Sequence, residues 1–219
     1  VSEWKSNAYL RRLHRRTLVP VLICLAAAVG ILALNTWGGD GQVPIPVVVA
    51  IAALLGYAGW LGRTLWDPRR HASYRALAAY GDPEKVARSV AAELDGGGHT
   101  LLGVFLGSEW IVVSTFTGLH AVRPADVMWI YRKVTESRTY GITIRSSYEA
   151  VILTRHRSRP FQQGGSEKNV QRLLGALQRA APWAHAGYSE RQSVLFERRN
   201  RATTFGYVDA RREQILAGG

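Results

Sequence analysis

TLVPVLICLAAAVGILALNTW, from Thr17 to Trp37, and VPIPVVVAIAALLGYAGWLG, from Val43 to Gly62, hold no charged side chain. Each run has about the 20 apolar residues that an α-helix needs to cross roughly 30 Å of hydrocarbon, and a helix satisfies its own backbone there. The five residues between them, Gly38-Gly39-Asp40-Gly41-Gln42, suffice only for a tight polar turn. The pattern predicts a membrane α-helical hairpin: one transmembrane helix over 17–37, an external loop over 38–42 and a second transmembrane helix over 43–62.

The flanks predict its orientation. A basic segment, 1–16, carries Arg11, Arg12, Arg15 and Arg16, and Arg63, Arg69 and Arg70 follow the second run, whereas the loop has only Asp40. Lys and Arg beside spans favour the cytoplasmic side, so both termini are expected in the cytoplasm of a two-span protein of the cytoplasmic membrane. Those seven arginines are the candidates for contact with anionic headgroups. Trp37 at the outer face, and Tyr57, Trp60 and Trp66 near the inner one, are expected as interfacial aromatics. Pro20 is placed in the first turn of span one, and Pro44 and Pro46 open span two. Ala26 with Gly30, and Ala52 with Gly56, have the four-residue spacing that lets helix backbones approach, within the hairpin or in a homodimer. A cleaved signal peptide fits less well, because the first core is long and no A-x-A site follows it.

Composition agrees with a short anchor joined to a water-soluble domain: 219 residues, 47% hydrophobic, 20% charged, mean hydropathy −0.06. A net charge of +12 and a pI near 10.4 raise nucleic acid as a partner. The placement of the charge argues against it. Residues 1–75 hold nine Lys and Arg against three acids, so half of the excess lies beside the spans, and the rest is spread over many elements. The single cysteine, Cys24, excludes a disulfide framework and is expected to be inert.

Residues 63–98 read as a juxtamembrane helical segment. A short helix over 71–79 stops at Tyr80-Gly81-Asp82-Pro83, where Asp82 caps a second helix with an apolar face of Val86, Val90 and Leu94. From His99 the period shifts toward two. Strands are predicted near 100–106, 110–116, 119–122, 127–135, 142–148, 150–154 and 160–163, with turns at Gly107-Ser108, Thr117-Gly118 and Thr139-Tyr140-Gly141. Ser166 then caps an amphipathic helix with Val170, Leu173, Leu174, Leu177 and Ala181 on one face. An antiparallel sheet or barrel closed by one C-terminal amphipathic helix is the element order of a pleckstrin-homology-like (PH-like) domain, expected over 99–183 within an α+β soluble portion. In the C-terminal helix and tail, 184–219, Ser189 and Gln192 form a capping-box pattern for a charged last helix.

Several strings carry a resemblance. The run from His71 through Leu77 into Tyr80-Gly81-Asp82-Pro83, the strand from Val127 to Thr135, and Ala181-Pro182-Trp183 followed by Gly187-Tyr188-Ser189 resemble a family of uncharacterised bacterial membrane proteins. The resemblance implies two N-terminal spans and a PH-like cytoplasmic domain across nearly the whole chain. It departs at Ala72, where the family pattern has proline. It carries over no catalytic residue.

No recognised chemistry stands out. His14, His71, His99, His120, His156 and His185 lack metal-ligand spacing and are expected at surfaces or interfaces. Nucleotide-binding and nucleophile-elbow motifs are absent, and the glycines at Gly96 and Gly164 read as turns and linkers. Glu93, Asp95, Glu109, Asp126, Glu136 and Glu149 are scattered over different elements. Arg155-His156-Arg157-Ser158-Arg159 is read as a solvated loop, with anion contact as the alternative. Strict alternation puts Trp129, Tyr131 and Lys133 on one strand face and Met128, Ile130 and Arg132 on the other. The expectation is a non-enzymatic, membrane-anchored interaction module without cofactor or metal. Its expected partners are a bilayer with anionic headgroups and an unidentified protein, a second copy included. The alternative is an accessory subunit or sensor of a transport or envelope-stress membrane complex; a membrane-bound hydrolase would need a polar pocket.

Overall fold

Asn7 starts the first helix: its side-chain Oδ1 accepts from the Leu10 amide at 3.2 Å, satisfying one of the helix's orphan donors. The computed structural model describes residues 7–37, 44–116, 118–139, 142–157, 159–196 and 201–218, so the expected loop over 38–42 lies outside the described residues. Two compact units result, one of Val1–Asp95 with Ser114–His120, the other of Gly96–Val113 with Ala121–Gly219.

In the first unit α1 (Ala8–Trp37) and α2 (Ile45–Trp66) are both long and apolar enough to cross a membrane. The basic segment from Ala8 onward is not a tail but the first turns of α1, because the Asn7 cap sets the start well ahead of the apolar run. Pro20 consequently lies inside the helix rather than in its first turn, where its missing N–H leaves the Arg16 carbonyl without its usual donor. After α2, Asp67 caps a 3-10 turn, Pro68–Arg70, by accepting from the Arg69 amide. His71 caps the short α3 (Ala72–Arg75), and a second 3-10 turn, Ala76–Tyr80, completes what the sequence suggests as one helix. Asp82 accepts from the Glu84 amide at 3.0 Å and starts α4 (Pro83–Asp95), as its Asp-Pro pair predicts.

The second unit is α+β. Its strands form two four-stranded sheets, antiparallel except where β8 pairs parallel with β5, ordered β1-β2-β3-β4 and β7-β6-β5-β8, where β1 is His99–Leu101, β2 Val104–Leu106, β3 Ile111–Ser114, β4 Leu119–Val122, β5 Val127–Thr139, β6 Ile142–Thr154, β7 Phe161–Gly165 and β8 His185–Ala186. Among the described residues the sheets do not close into a barrel. The tip of the β3–β4 hairpin belongs to the first unit. Ser166 caps α5 (Glu167–Ala180), whose Val170, Leu173 and Leu177 join Val104, Ile111 and Val113 of one sheet and Ile130, Ala150 and Ile152 of the other in a single core. The expected C-terminal helix is described over α6 (Glu190–Phe196) and α7 (Arg201–Ala217), and residues 197–200 lie outside the described residues.

Three departures from strand expectations have local causes. The run 100–106 is two strands, because Leu102 (φ 48°) and Gly103 (φ 76°) make a tight left-handed turn. The runs 142–148 and 150–154 are one strand, since Glu149 pairs with Lys133 in the stretch of ladder that runs without a shift from Trp129 to Ser137. Gly164 and Gly165 lie in β7 rather than in a linker, and a Cβ on Gly165 would stand 2.6 Å from Leu102 Cδ2, so glycine permits that close approach.

Candidate membrane and partner interface

On α2 the inward positions are Val47, Ile51, Leu54, Ala58, Leu61 and Leu65, in alternating steps of four and three. A 3.5-residue period is that of a left-handed helix pair, and Val21, Cys24, Ala58, Leu61 and Leu65 pack together as its core. Cys24 is therefore a packing residue. Ala26, Gly30, Ala52 and Gly56, the small residues singled out by spacing, face away from this seam; a Cβ on Gly30 or Gly56 would meet nothing within 4 Å. The faces away from the seam expose large apolar side chains, with Leu34 76%, Ile45 79% and Trp66 90% exposed. Tyr57 and Trp60 are also exposed and stack at 6.0 Å between ring centroids. Trp37 ends α1, and its side chain is outside what the structure describes.

The N-terminal turns of α1 have two faces. Tyr9, Leu10, Leu13 and Thr17 are buried, whereas Arg11, Arg12, Arg15 and Arg16 are exposed. The buried face packs on α4 and on the turn Pro68–Arg70, so Arg69 and Arg70 stand at the same end of the hairpin as the α1 arginines. Three of the seven candidate arginines already serve the chain. Arg12 donates to the Leu94 carbonyl at 3.3 Å, capping the last turn of α4; Arg69 pairs with Glu84 at 3.2 Å, and Arg70 with Asp67 at 3.5 Å. Among the described residues Arg11, Arg15, Arg16 and Arg63 have no acidic partner within 4 Å.

A buried polar node ties this cap together. Tyr9 donates its hydroxyl to the Leu119 carbonyl at 2.8 Å, His71 Nδ1 accepts from the Ser73 amide at 3.1 Å, and Ser73 Oγ lies 3.5 Å from His120 Nδ1. A Cβ on Gly118 would stand 2.5 Å from Ser73 Oγ and 2.8 Å from His71 Cε1, so only glycine fits there. His71 is an interior residue rather than a surface one, because its capping bond satisfies the ring in place of water. No single string predicts a node built from positions so far apart.

In the second unit the basic loop is largely occupied by acids of its own chain. Arg155 forms an ion pair with Asp209 and lies near Asp126, and His156 Nε2 is 3.6 Å from Asp126. Arg157 stacks over Phe161, and burial together with the Arg159 charge lowers its pKa below the usual guanidinium range. The loop clasps α7 to the sheet more than it offers a free anion site. Met128 is bypassed in the β5–β6 ladder, where Val127 faces Thr154 and Trp129 faces Leu153. This bulge puts Met128 beside Trp129, instead of opposite it, in an outer cluster with Phe196 and Val208. Trp129 stacks on Phe196 and Tyr188, with its indole N–H donating to the Gly187 carbonyl at 2.6 Å. The aromatics of β5 thus hold the C-terminal helices.

Among the described residues no three His, Cys, Asp or Glu side chains group as a metal site would require. Glu149 pairs with Lys133, and Asp126 with the basic loop, so these scattered acids meet cations rather than one another. No family model, curated protein or solved structure matches the chain.

Proposed function

We propose that this chain is a membrane-anchored, non-enzymatic interaction module: its hairpin spans the cytoplasmic membrane with both termini inside and holds a PH-like domain at the surface. The observation that carries the reading is the pairing of two apolar helices whose outer faces are exposed and apolar, with arginines gathered at one end. Isolated exposed apolar residues are ordinary, but contiguous faces of this extent on two adjacent helices need a non-aqueous neighbour. Arg11, Arg15, Arg16 and Arg63 then meet anionic headgroups, each contributing on the order of 1 kcal/mol near such a surface. The PH-like assignment is supported by strand order, with four antiparallel strands, three more and then α5, and by the family resemblance of the strings quoted above. Protein contact, with an unidentified partner or a second copy, is the work of the second unit.

The test uses the full chain in native membranes. Carbonate extraction should leave it in the membrane fraction; an Asp40→Cys variant should react with an impermeant maleimide from outside, and a Gly219→Cys variant only after permeabilisation. Release by carbonate would remove the anchor, and the opposite labelling pattern would reverse the orientation. A second reading, an accessory subunit or sensor of a membrane complex, draws on the open faces at Gly30 and Gly56. It predicts a stoichiometric membrane partner lost on Gly30→Leu with Gly56→Leu, substitutions that leave the hairpin seam untouched.

A further inference from the structure

The β5–β6 hairpin outruns its sheet. Among the described residues β7 accompanies β6 only as far as Tyr148, and β8 pairs with β5 only at Trp129 and Ile130. Beyond these, residues 131–139 of β5 and 142–147 of β6 form a ribbon two strands wide, and 132–137 are exposed. A ribbon of two strands is marginal alone in water, and its edges are templates for another strand. β5 lacks both Pro and Gly, so its backbone edge is continuous. The direction of that edge follows from one bond: Gly187 N–H donates to the Ile130 carbonyl, so Ile130, and by alternation Arg132, Val134, Glu136 and Arg138, turn their backbone groups outward.

We infer that this edge pairs with the same edge of a second copy, antiparallel, about a two-fold axis through Ser137. The local sequence, Thr135-Glu136-Ser137-Arg138-Thr139, is a charge palindrome. In that register Glu136 of each copy faces Arg138 of the other, Thr135 faces Thr139, and Ser137 faces itself. Opposite charges and Thr pairs across strands are favourable. The pleat agrees, because Glu136 and Arg138 both turn their backbone groups outward and form the hydrogen-bonded pair, while Ser137 meets Ser137 as a non-bonded pair. Competing registers fail on named residues. An axis through Glu136 or Arg138 opposes like charges, one through Thr135 opposes Arg132 to Arg138, and one through Val134 needs the Ile130 carbonyl that Gly187 already occupies. The β6 edge offers no equivalent: Ile144 is bypassed at the shift between Ser137 and Arg138, and Arg145 has no acid of its own stretch to face. Glu136 also interacts within its own chain, so the intermolecular pair selects the register more than it adds affinity. Tethering both copies to one bilayer raises their effective concentration, which suits a short edge contact.

The inference deepens the interaction-module reading by naming one partner, and it rests on that reading for the tether. A non-bonded antiparallel pair has a Cα separation of about 4.5 Å, within disulfide range. In native membranes the full-length Ser137→Cys variant should therefore give an oxidised dimer that the parent chain, with only Cys24, does not. Thr135→Cys alone should give at least fivefold less, whereas Thr135→Cys and Thr139→Cys chains expressed together should cross-link to each other. Glu136→Arg should reduce the Ser137→Cys dimer at least fivefold, and Glu136→Arg with Arg138→Glu should restore it. A Ser137→Cys yield no greater than that of Thr135→Cys, or no restoration by the charge exchange, overturns the pairing. A chain retained by carbonate-washed membranes but lacking the cross-link refutes only the pairing; a chain released by carbonate refutes the anchor reading as well.

Discussion

Truncating Leu13 to alanine tests whether the basic N-terminal turns are a structural element or merely a charged tail. Leu13 is 0% exposed on the face of α1 that packs against α4 and the turn Pro68–Arg70, one turn before Thr17, whose hydroxyl donates to the Leu13 carbonyl. Removing a leucine side chain from such a position costs about 2–5 kcal/mol, depending on how far the surroundings collapse. Tyr9 and Leu10 hold the same face and limit that collapse, so about 2–4 kcal/mol is expected, a roughly 30- to 1,000-fold rise in the opening constant of the cap. Leu18→Ala is the control: at 37% exposed, on the outer side of the same helix, it should change that constant by less than about threefold. Amide hydrogen exchange over α4, measured on the full chain in lipid nanodiscs, reads the difference directly. Equal protection in both variants would refute the packing of α1 into the cap and return residues 8–16 to a solvated basic segment.

Gly98→Ala should destabilise the second unit by about 1–3 kcal/mol, because the new Cβ would stand 2.8 Å from the Leu106 carbonyl oxygen and against the Phe105 ring; urea titration of tryptophan fluorescence measures it. Arg155→Ala removes both the ion pair with Asp209 and the stack over Phe205, two partly exposed contacts together contributing about 1 kcal/mol, so cleavage within α7 under limited proteolysis should accelerate about fivefold. Lysine at that position should restore little, since it lacks the planar fork. Burial, then the Glu84 carboxylate, hold the Tyr74 phenol above its ordinary 10.0. The unfolded chain therefore loses this proton first as pH rises: the contribution is complete below pH 10 and fades through the raised folded value, so Tyr74→Phe should make the alkaline unfolding curves less steep in pH.

What the sequence makes legible is the structure governed by neighbours along the chain. The charge-free runs become α1 and α2, Asp82-Pro83 starts α4, Ser166 caps α5, and Leu119–Val122 is a strand as its pattern predicts. The features that escape are set by distant partners or by unusual residues in familiar roles. Leu102 occupies a left-handed turn that asparagine or glycine would have announced, and its packing on Gly165 offsets the strain. The bulge at Met128 has no local signal, so strict alternation puts Met128 with Ile130 when it packs with Trp129. Along the apolar helices, the spacing of Ala26 with Gly30 and of Ala52 with Gly56 does not mark the hairpin seam, whose α2 side is an ordinary run of three- and four-residue steps among bulkier residues. Four candidate arginines meet no acid among the described residues, yet nothing in the sequence separates them from Arg12, which caps α4. Asn7 is the local signal for the early start of α1. Its capping of Leu10 three residues on is a common pattern, and it extends α1 into the cap.

Because α1 is a single helix from Ala8 to Trp37, its two contact surfaces share one angular phase. Each inserted residue turns everything beyond it by about 100°. One extra residue between Leu13 and Thr17 would swing Tyr9, Leu10 and Leu13 away from α4 while leaving the apolar length of the span unchanged, whereas seven would bring them back nearly into line. The length of this helix can therefore change over time only in steps close to whole multiples of its turn. The length of the apolar run and the fit of the cap are thus bound to a common arithmetic, and a chain that drifts in one must compensate in the other.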